Sequence, residues 1–149
     1  MTRVVLDTNV LVSTVRAERG ALAVIREGWL TGRFQVYVSE PLLAEVERTL
    51  AKPYFVARLG PDRTQRFLTL LQRATVLQPI VERVVGVATH AEDDWILATV
   101  HSADAQFLVT GDKALQSLGS FRATRILDPA SFADLLETGR EGRPSDPER

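Results

Sequence analysis

The chain contains no cysteine. Disulfides and thiolate metal sites are therefore excluded, and a reducing cytosol is a permitted compartment. No apolar run approaches the ~20 residues that span a bilayer. The N-terminus enters a strand directly, without a basic-then-apolar leader. A Gly-rich phosphate loop ending in Gly-Lys-Ser/Thr is absent, and so is a Gly-x-Gly-x-x-Gly turn. No His pair offers a zinc site, and no Ser-His-Asp arrangement is legible. There is no excess of positive charge either. The formal net charge is −1, so the whole chain is not an electrostatic nucleic-acid binder, although local charge still counts. What remains is ordinary globular composition, 45% hydrophobic and 25% charged over 149 residues. That is enough for one domain with one core. We read residues 1–138 as that domain and the Gly/Pro-rich, charged stretch 139–149 as a frayed tail.

The stretch Val4-Val5-Leu6-Asp7-Thr8-Asn9 organises the rest. Arg3 to Leu6 reads as a strand that is apolar without alternation, as strands buried on both faces are. It stops at a carboxylate, Asp7. In open α/β sheets, ligands bind in the crevice outside the carboxyl ends of the strands. Asp7 is thus either a functional acid or the cap of the following helix. Phe107-Leu108-Val109 repeats the design and ends in Thr110-Gly111-Asp112. Two buried strands each followed by an acid are harder to explain as coincidence than one.

Between these strands, Ala21 to Leu30 has helical spacing and Gln35 to Val38 reads as a second strand. Ser39 is a candidate N-cap for a helix from Glu40 to Leu50, with Pro41 in its first turn. Glu45 lies on the border of that helix's apolar stripe and can reach inward; the alternative is a solvated acid. From Arg48 to Arg73 positive charge dominates, with Arg48, Lys52, Arg58, Arg63, Arg66 and Arg73 against Asp62 alone. Gly60-Pro61 divides this region before a helix to about Ala74. Arg63, Arg66 and Arg73 fall on one side of that helix, either as a solvated face or as a phosphate-contacting rim. Arg83 to Ala88 is a weak strand candidate. Glu92-Asp93-Asp94 opens a helix to about Ala103, and acids suit its first turn. On it Asp94, Leu97 and His101 share a face. Arg125-Ile126-Leu127 reads as an edge strand, and a last helix runs from Pro129 to about Thr138.

The collected acids are Asp7, Glu45, Asp94 and Asp112. Converging carboxylates without soft ligands favour hard divalent cations, Mg²⁺ or Mn²⁺. Such ions activate water and stabilise displacement at phosphorus. In four anchors the chain resembles the PIN-domain ribonucleases, and among them the VapC-like toxins of toxin–antitoxin operons. The anchors are Leu6-Asp7-Thr8-Asn9-Val10-Leu11-Val12, Ser39-Glu40-Pro41-Leu42-Leu43-Ala44-Glu45, Asp93-Asp94-Trp95-Ile96-Leu97-Ala98 and Val109-Thr110-Gly111-Asp112-Lys113-Ala114-Leu115. The closing Ile126-Leu127-Asp128-Pro129 is similar too.

That resemblance implies a three-layer α/β/α fold around a mostly parallel sheet. It implies Mg²⁺- or Mn²⁺-dependent cleavage of RNA in the cytoplasm, an antitoxin partner, and a homodimer or higher oligomer. It carries catalytic roles to Asp7, Glu45, Asp94 and Asp112, with Asp7, Asp94 and Asp112 on the metal. Asn9 and Thr110 match supporting positions, and Asp93 is ambiguous with Asp94. Arg48, Lys52, Arg63, Arg66 and Arg73 are the candidate RNA contacts. His90 stands where relatives carry a further acid. Two rivals remain. A phosphoaspartyl phosphatase would want an acid where Asn9 stands, and a non-catalytic PIN-like binding module would not need the acidic quartet.

Overall fold

The computed structural model describes residues 1–88, 90 and 93–138. The tail at 139–149 and Glu92 lie outside the described residues. Three apolar runs form adjacent parallel strands: β1 (Arg3–Leu6), β2 (Gln35–Val38) and β4 (Phe107–Val109). Val4, Val5, Leu6, Leu108 and Val109 are fully buried, as unalternating strands in the middle of a sheet should be. With β3 (Thr75–Leu77), β5 (Ser120–Phe121) and β6 (Thr124–Leu127), they make one sheet of order β3-β2-β1-β4-β6-β5. Among the described strands only β5 runs antiparallel.

Helices α1 (Thr8–Thr14), α2 (Ala21–Leu30), α3 (Glu40–Leu50), α4 (Pro53–Ala74), α5 (Asp94–Ser102), α6 (Lys113–Gln116) and α7 (Pro129–Thr138) complete the α/β architecture. Ser39 caps α3, accepting from Leu42 N. Gly60 takes a positive φ of 75° and Pro61 restarts the helix, so α4 bends there. α2 packs on α7 with Gly28 at the contact. A Cβ there would stand 3.0 Å from the Phe34 ring and 3.3 Å from Leu136, so glycine is what lets the helices approach.

Three readings of the sequence need correction. Arg83–Ala88 is loop, not strand. The third parallel strand is Thr75–Leu77, which follows α4 without a break. Finally, β6 is not an edge: β5 doubles back along it through a turn in which Arg122 adopts φ 53°.

The topology prepares a crevice. From β1 the sheet grows through β2 on one side and through β4 on the other. Strand order therefore reverses between β1 and β4, and their carboxyl ends lie side by side, Leu6 paired with Val109. The next residue on each strand is polar: Asp7 and Thr110.

Candidate active site

Asp7 leaves β1 by donating its backbone N–H to Val109 O at 2.9 Å. It then caps α1, its Oδ1 accepting from Thr8 N at 2.8 Å. Its Oδ2 accepts from the Thr110 hydroxyl at 2.7 Å. Cap and crevice acid are thus the same residue. The Thr110 hydroxyl also accepts from Asp112 N at 3.0 Å, which ties the ends of the two strands together. Asp112 caps α6, accepting at Oδ1 from Ala114 N (2.8 Å) and Leu115 N (3.3 Å). Glu45 does reach inward from α3, where its Oε1 accepts from the Thr8 hydroxyl. Nothing in the chain's periodicity marks Thr8; its position beside Asp7 is the available signal.

The next helix start separates Asp93 from Asp94. Asp93, half-buried, turns towards Asp7 and Asp112. Burial, then the negative charges of Asp112 and Asp7, push its carboxyl up from 3.8 to about 6. Its Oδ2 is fully buried and, among the described residues, has no hydrogen-bond partner. Burial also raises Asp7, helped by Glu45 and Asp112 and opposed by the Thr110 and Thr8 hydrogen bonds. Asp94 faces elsewhere. Its two oxygens accept from Ala88 N and Gly86 N at 2.9 Å each, and these bonds lower its pKa. The structure therefore places Asp93, not Asp94, among the crevice acids. Consecutive helical residues differ by ~100° in direction, so only one of the pair can face the crevice.

An open pocket of about 340 Å³ is lined by Asp7, Glu45, Asp93, Arg48 and Trp95. Asn9 is exposed on the first turn of α1. The basic residues divide. Arg48 shares the acidic pocket, and Lys52 is exposed at the start of α4. Arg63 and Arg66 line a separate cleft with Arg26, a helix α2 residue that no charge pattern in the sequence marks. Arg26 donates to Thr14 O, and Arg63 to Val15 O at 3.4 Å, so both sit at the carboxyl end of α1. Among the described residues none of these three pairs with an acid. Arg73 lies apart, lining another pocket together with Trp29 and with Thr75 and Val76 of β3.

Among the described residues, no three His, Asp or Glu side chains form a ready-made metal site. The donor chemistry still fits a hard cation. The crevice gathers carboxylates and hydroxyls with no soft ligand, and one carboxylate has a buried oxygen without a partner among the described residues and a charge that its neighbours oppose.

Similarity to solved structures agrees with the topology. PAE2754 from Pyrobaculum aerophilum superposes with a TM-score of 0.61 at 18% identity, covering 92% of this chain and 90% of that one. VapBC2 from Rickettsia felis, solved bound to a DNA fragment from its promoter, gives 0.58 at 14%, covering 85% and 98%. VapC20 from Mycobacterium tuberculosis, a sarcin-ricin loop cleaving toxin, gives 0.55 at 15%, covering 82% and 98%. At these identities the likeness is one of fold. No curated protein sequence matches the chain. The family profile of the PIN domain, however, matches residues 3–114, from the first residue of β1 through the crevice acids to the start of α6, and the chain therefore belongs to the PIN-domain family.

Proposed function

We propose that this chain is a divalent-metal-dependent endoribonuclease, the toxin of a toxin–antitoxin pair. The observation that carries this reading is the meeting of Asp7, Asp93 and Asp112 at the strand-order reversal, with Asp93 raised to about 6 by burial and its neighbours' charge. These three would hold Mg²⁺ or Mn²⁺. The bound ion supplies neutralising charge and an activated water at phosphorus. The chain's own groups do the rest. Thr110 and the α1 N-terminus fix the direction of Asp7. Glu45, oriented by the Thr8 hydroxyl, takes up a proton from the attacking water. Arg48 contacts the phosphate from the pocket wall.

Arg26, Arg63 and Arg66 hold the RNA backbone further along. Their cleft lies at the other end of α1 from Asp7. The rise of a helix makes that separation roughly 10 Å. PIN-family membership supports the nuclease. The likeness in fold to VapBC2 and VapC20 supports the toxin role and an antitoxin partner; self-association and a cytoplasmic site of action belong to the same proposal.

The test is cleavage of single-stranded and structured RNA with Mg²⁺, with Mn²⁺ and with chelator. Activity should require metal. Asp7→Asn and Asp93→Asn should each lower it by about 100-fold or more, because each removes a charge that positions the ion. Undiminished cleavage in chelator would end the metal mechanism. Full activity in Asp93→Asn beside a dead Asp94→Asn would return the metal-binding role to Asp94.

A further inference from the structure

Trp95 is exposed where a core helix has no need of an aromatic residue. The rest of α5 from Ile96 to Val100 is buried, yet the Trp95 side chain is 47% exposed, while the chain's other tryptophan, Trp29, is 4% exposed. Trp95 follows the two acids directly and stands between two clefts. On one side it lines the acidic pocket with Asp7, Asp93 and Arg48. On the other it lines a second cleft of about 300 Å³ with Pro41, Leu77, Pro79 and Ile80. One indole thus separates a carboxylate-lined space from a mainly apolar one.

The backbone beneath it is fixed. Thr99 Oγ1 donates to Trp95 O at 2.8 Å and lies 2.7 Å from the buried Ser39 hydroxyl. Since the Thr99 proton goes to Trp95 O, Ser39 donates to Thr99 and accepts in turn from Leu42 N. This relay pins the first turn of α5 to the N-cap of α3. The backbone that carries the indole is thereby pre-set, which lowers the ordering cost of stacking on it.

We propose that Trp95 is a stacking platform for a nucleobase next to the scissile phosphate, with the apolar cleft beside it receiving that base. The proposal rests on the ribonuclease reading of the acidic crevice. A single-stranded nucleic acid needs its charged backbone and its apolar bases met at adjacent places. Here Arg48 and the acid-held cation would meet the phosphate, and the indole and the proline- and leucine-lined cleft would meet the base. Every base has a π-face, so Trp95 gives affinity and register with limited sequence preference. Any preference at this subsite comes from the shape of the cleft.

Tryptophan emission reports the event directly, because Trp95 is the exposed member of the pair. A short mixed-sequence RNA oligonucleotide, titrated with Mg²⁺ into a Glu45→Gln background so that it survives while the cation is kept, should quench and shift the emission. The change should saturate together with the anisotropy of the same RNA carrying a dye. Trp95→Ala should abolish the change and weaken binding by about 5- to 160-fold, the range for one lost base stack. Trp95→Phe and Trp95→Tyr should restore most of the affinity. With metal, Trp95→Ala should raise KM far more than it lowers kcat.

Unchanged RNA affinity in Trp95→Ala, with cleavage intact and Asp93→Asn inactive, would overturn the platform and leave the nuclease standing. Loss of self-association in Trp95→Ala without loss of RNA affinity would overturn it in favour of a protein interface. A wild-type chain that neither binds nor cleaves RNA would remove both readings.

Discussion

Replacing Asp93 by Asn should stabilise the metal-free protein, and by an amount that depends on pH. In the folded chain Asp93 titrates at about 6, against 3.8 for an unperturbed aspartate. The folded state therefore holds its proton more tightly than the unfolded state does. Stability is greatest below about pH 4, falls as pH rises through the interval up to about 6, and is flat above it. The whole interval corresponds to about 3 kcal/mol. Water screens a half-buried group, so about 1–2 kcal/mol should survive at neutral pH. Asn keeps the shape and removes the charge. Asp93→Asn should then melt higher than wild type by roughly 2–8 °C near pH 7.5 in chelator, and at the same temperature near pH 4.

Circular-dichroism melts across that range are the assay. Mn²⁺ should reverse the order at neutral pH, since an ion that binds only the folded wild type adds stability to it alone. Asp94→Asn is the control. Its carboxylate serves two backbone N–H groups. Without it the chain should melt lower than wild type at neutral pH, with no reversal by metal. A pH-independent gap, or a lower melt for Asp93→Asn at neutral pH, would refute the crowding of charge around Asp93.

Two further outcomes follow from the same geometry. Converting Arg26, Arg63 and Arg66 together to Gln should flatten the dependence of log RNA affinity on log salt by about 2, at ~0.7 for each phosphate no longer neutralised, whereas Arg73→Gln, which lines a different pocket, should leave it unchanged; an unaltered slope in the triple variant would make the cleft a capping arrangement for α1 and nothing more. Thr110→Val should cost about 1–3 kcal/mol of stability, since Asp7 Oδ2 loses its donor and Asp112 N its acceptor, and should weaken Mn²⁺ binding by about 10- to 100-fold; calorimetry reads both, and unchanged values would detach Thr110 from the site.

The central strands were legible because burial on both faces leaves a plain signature: β1 and β4 are runs of apolar residues that stop at polar ones. The edges carried no such signature. β3 is partly exposed along its whole length, and with α4 running straight into it no turn residues announce it. β5 has two residues and depends on Arg122 taking a positive φ, which glycine or asparagine would have advertised and arginine does not. Arg83–Ala88 misled in the other direction. Its β-branched residues suit a strand, but the N–H groups of Gly86 and Ala88 are consumed by a side chain rather than by a neighbouring strand. The arginine stripe divides between two pockets for a geometric reason. Periodicity gives direction around a helix but not distance along it. Arg63 and Arg73 are far enough apart in sequence to be separated by about 15 Å of helix. One therefore reaches the end of α1 and the other the pocket lined by Thr75 and Val76 of β3.

The two neighbouring acids at the start of α5 follow the same logic. Helical spacing correctly set Asp94, Leu97 and His101 on one face. That face meets the preceding loop, where Asp94 takes the N–H groups of Gly86 and Ala88 and His101 Nε2 lies 3.0 Å from Glu82. Asp94 thereby fixes the rotation of the helix about its own axis. With Asp94 turned to the loop, the preceding residue is turned to the crevice, where its charge meets those of Asp7 and Asp112. The pair divides the labour of the acidic run. One carboxylate has its pKa lowered by hydrogen bonds and stabilises the fold at neutral pH. The other has its pKa raised by burial and like charge and destabilises it. The first supplies the anchoring that lets the second be held against Asp7 and Asp112, where a cation would relieve the repulsion.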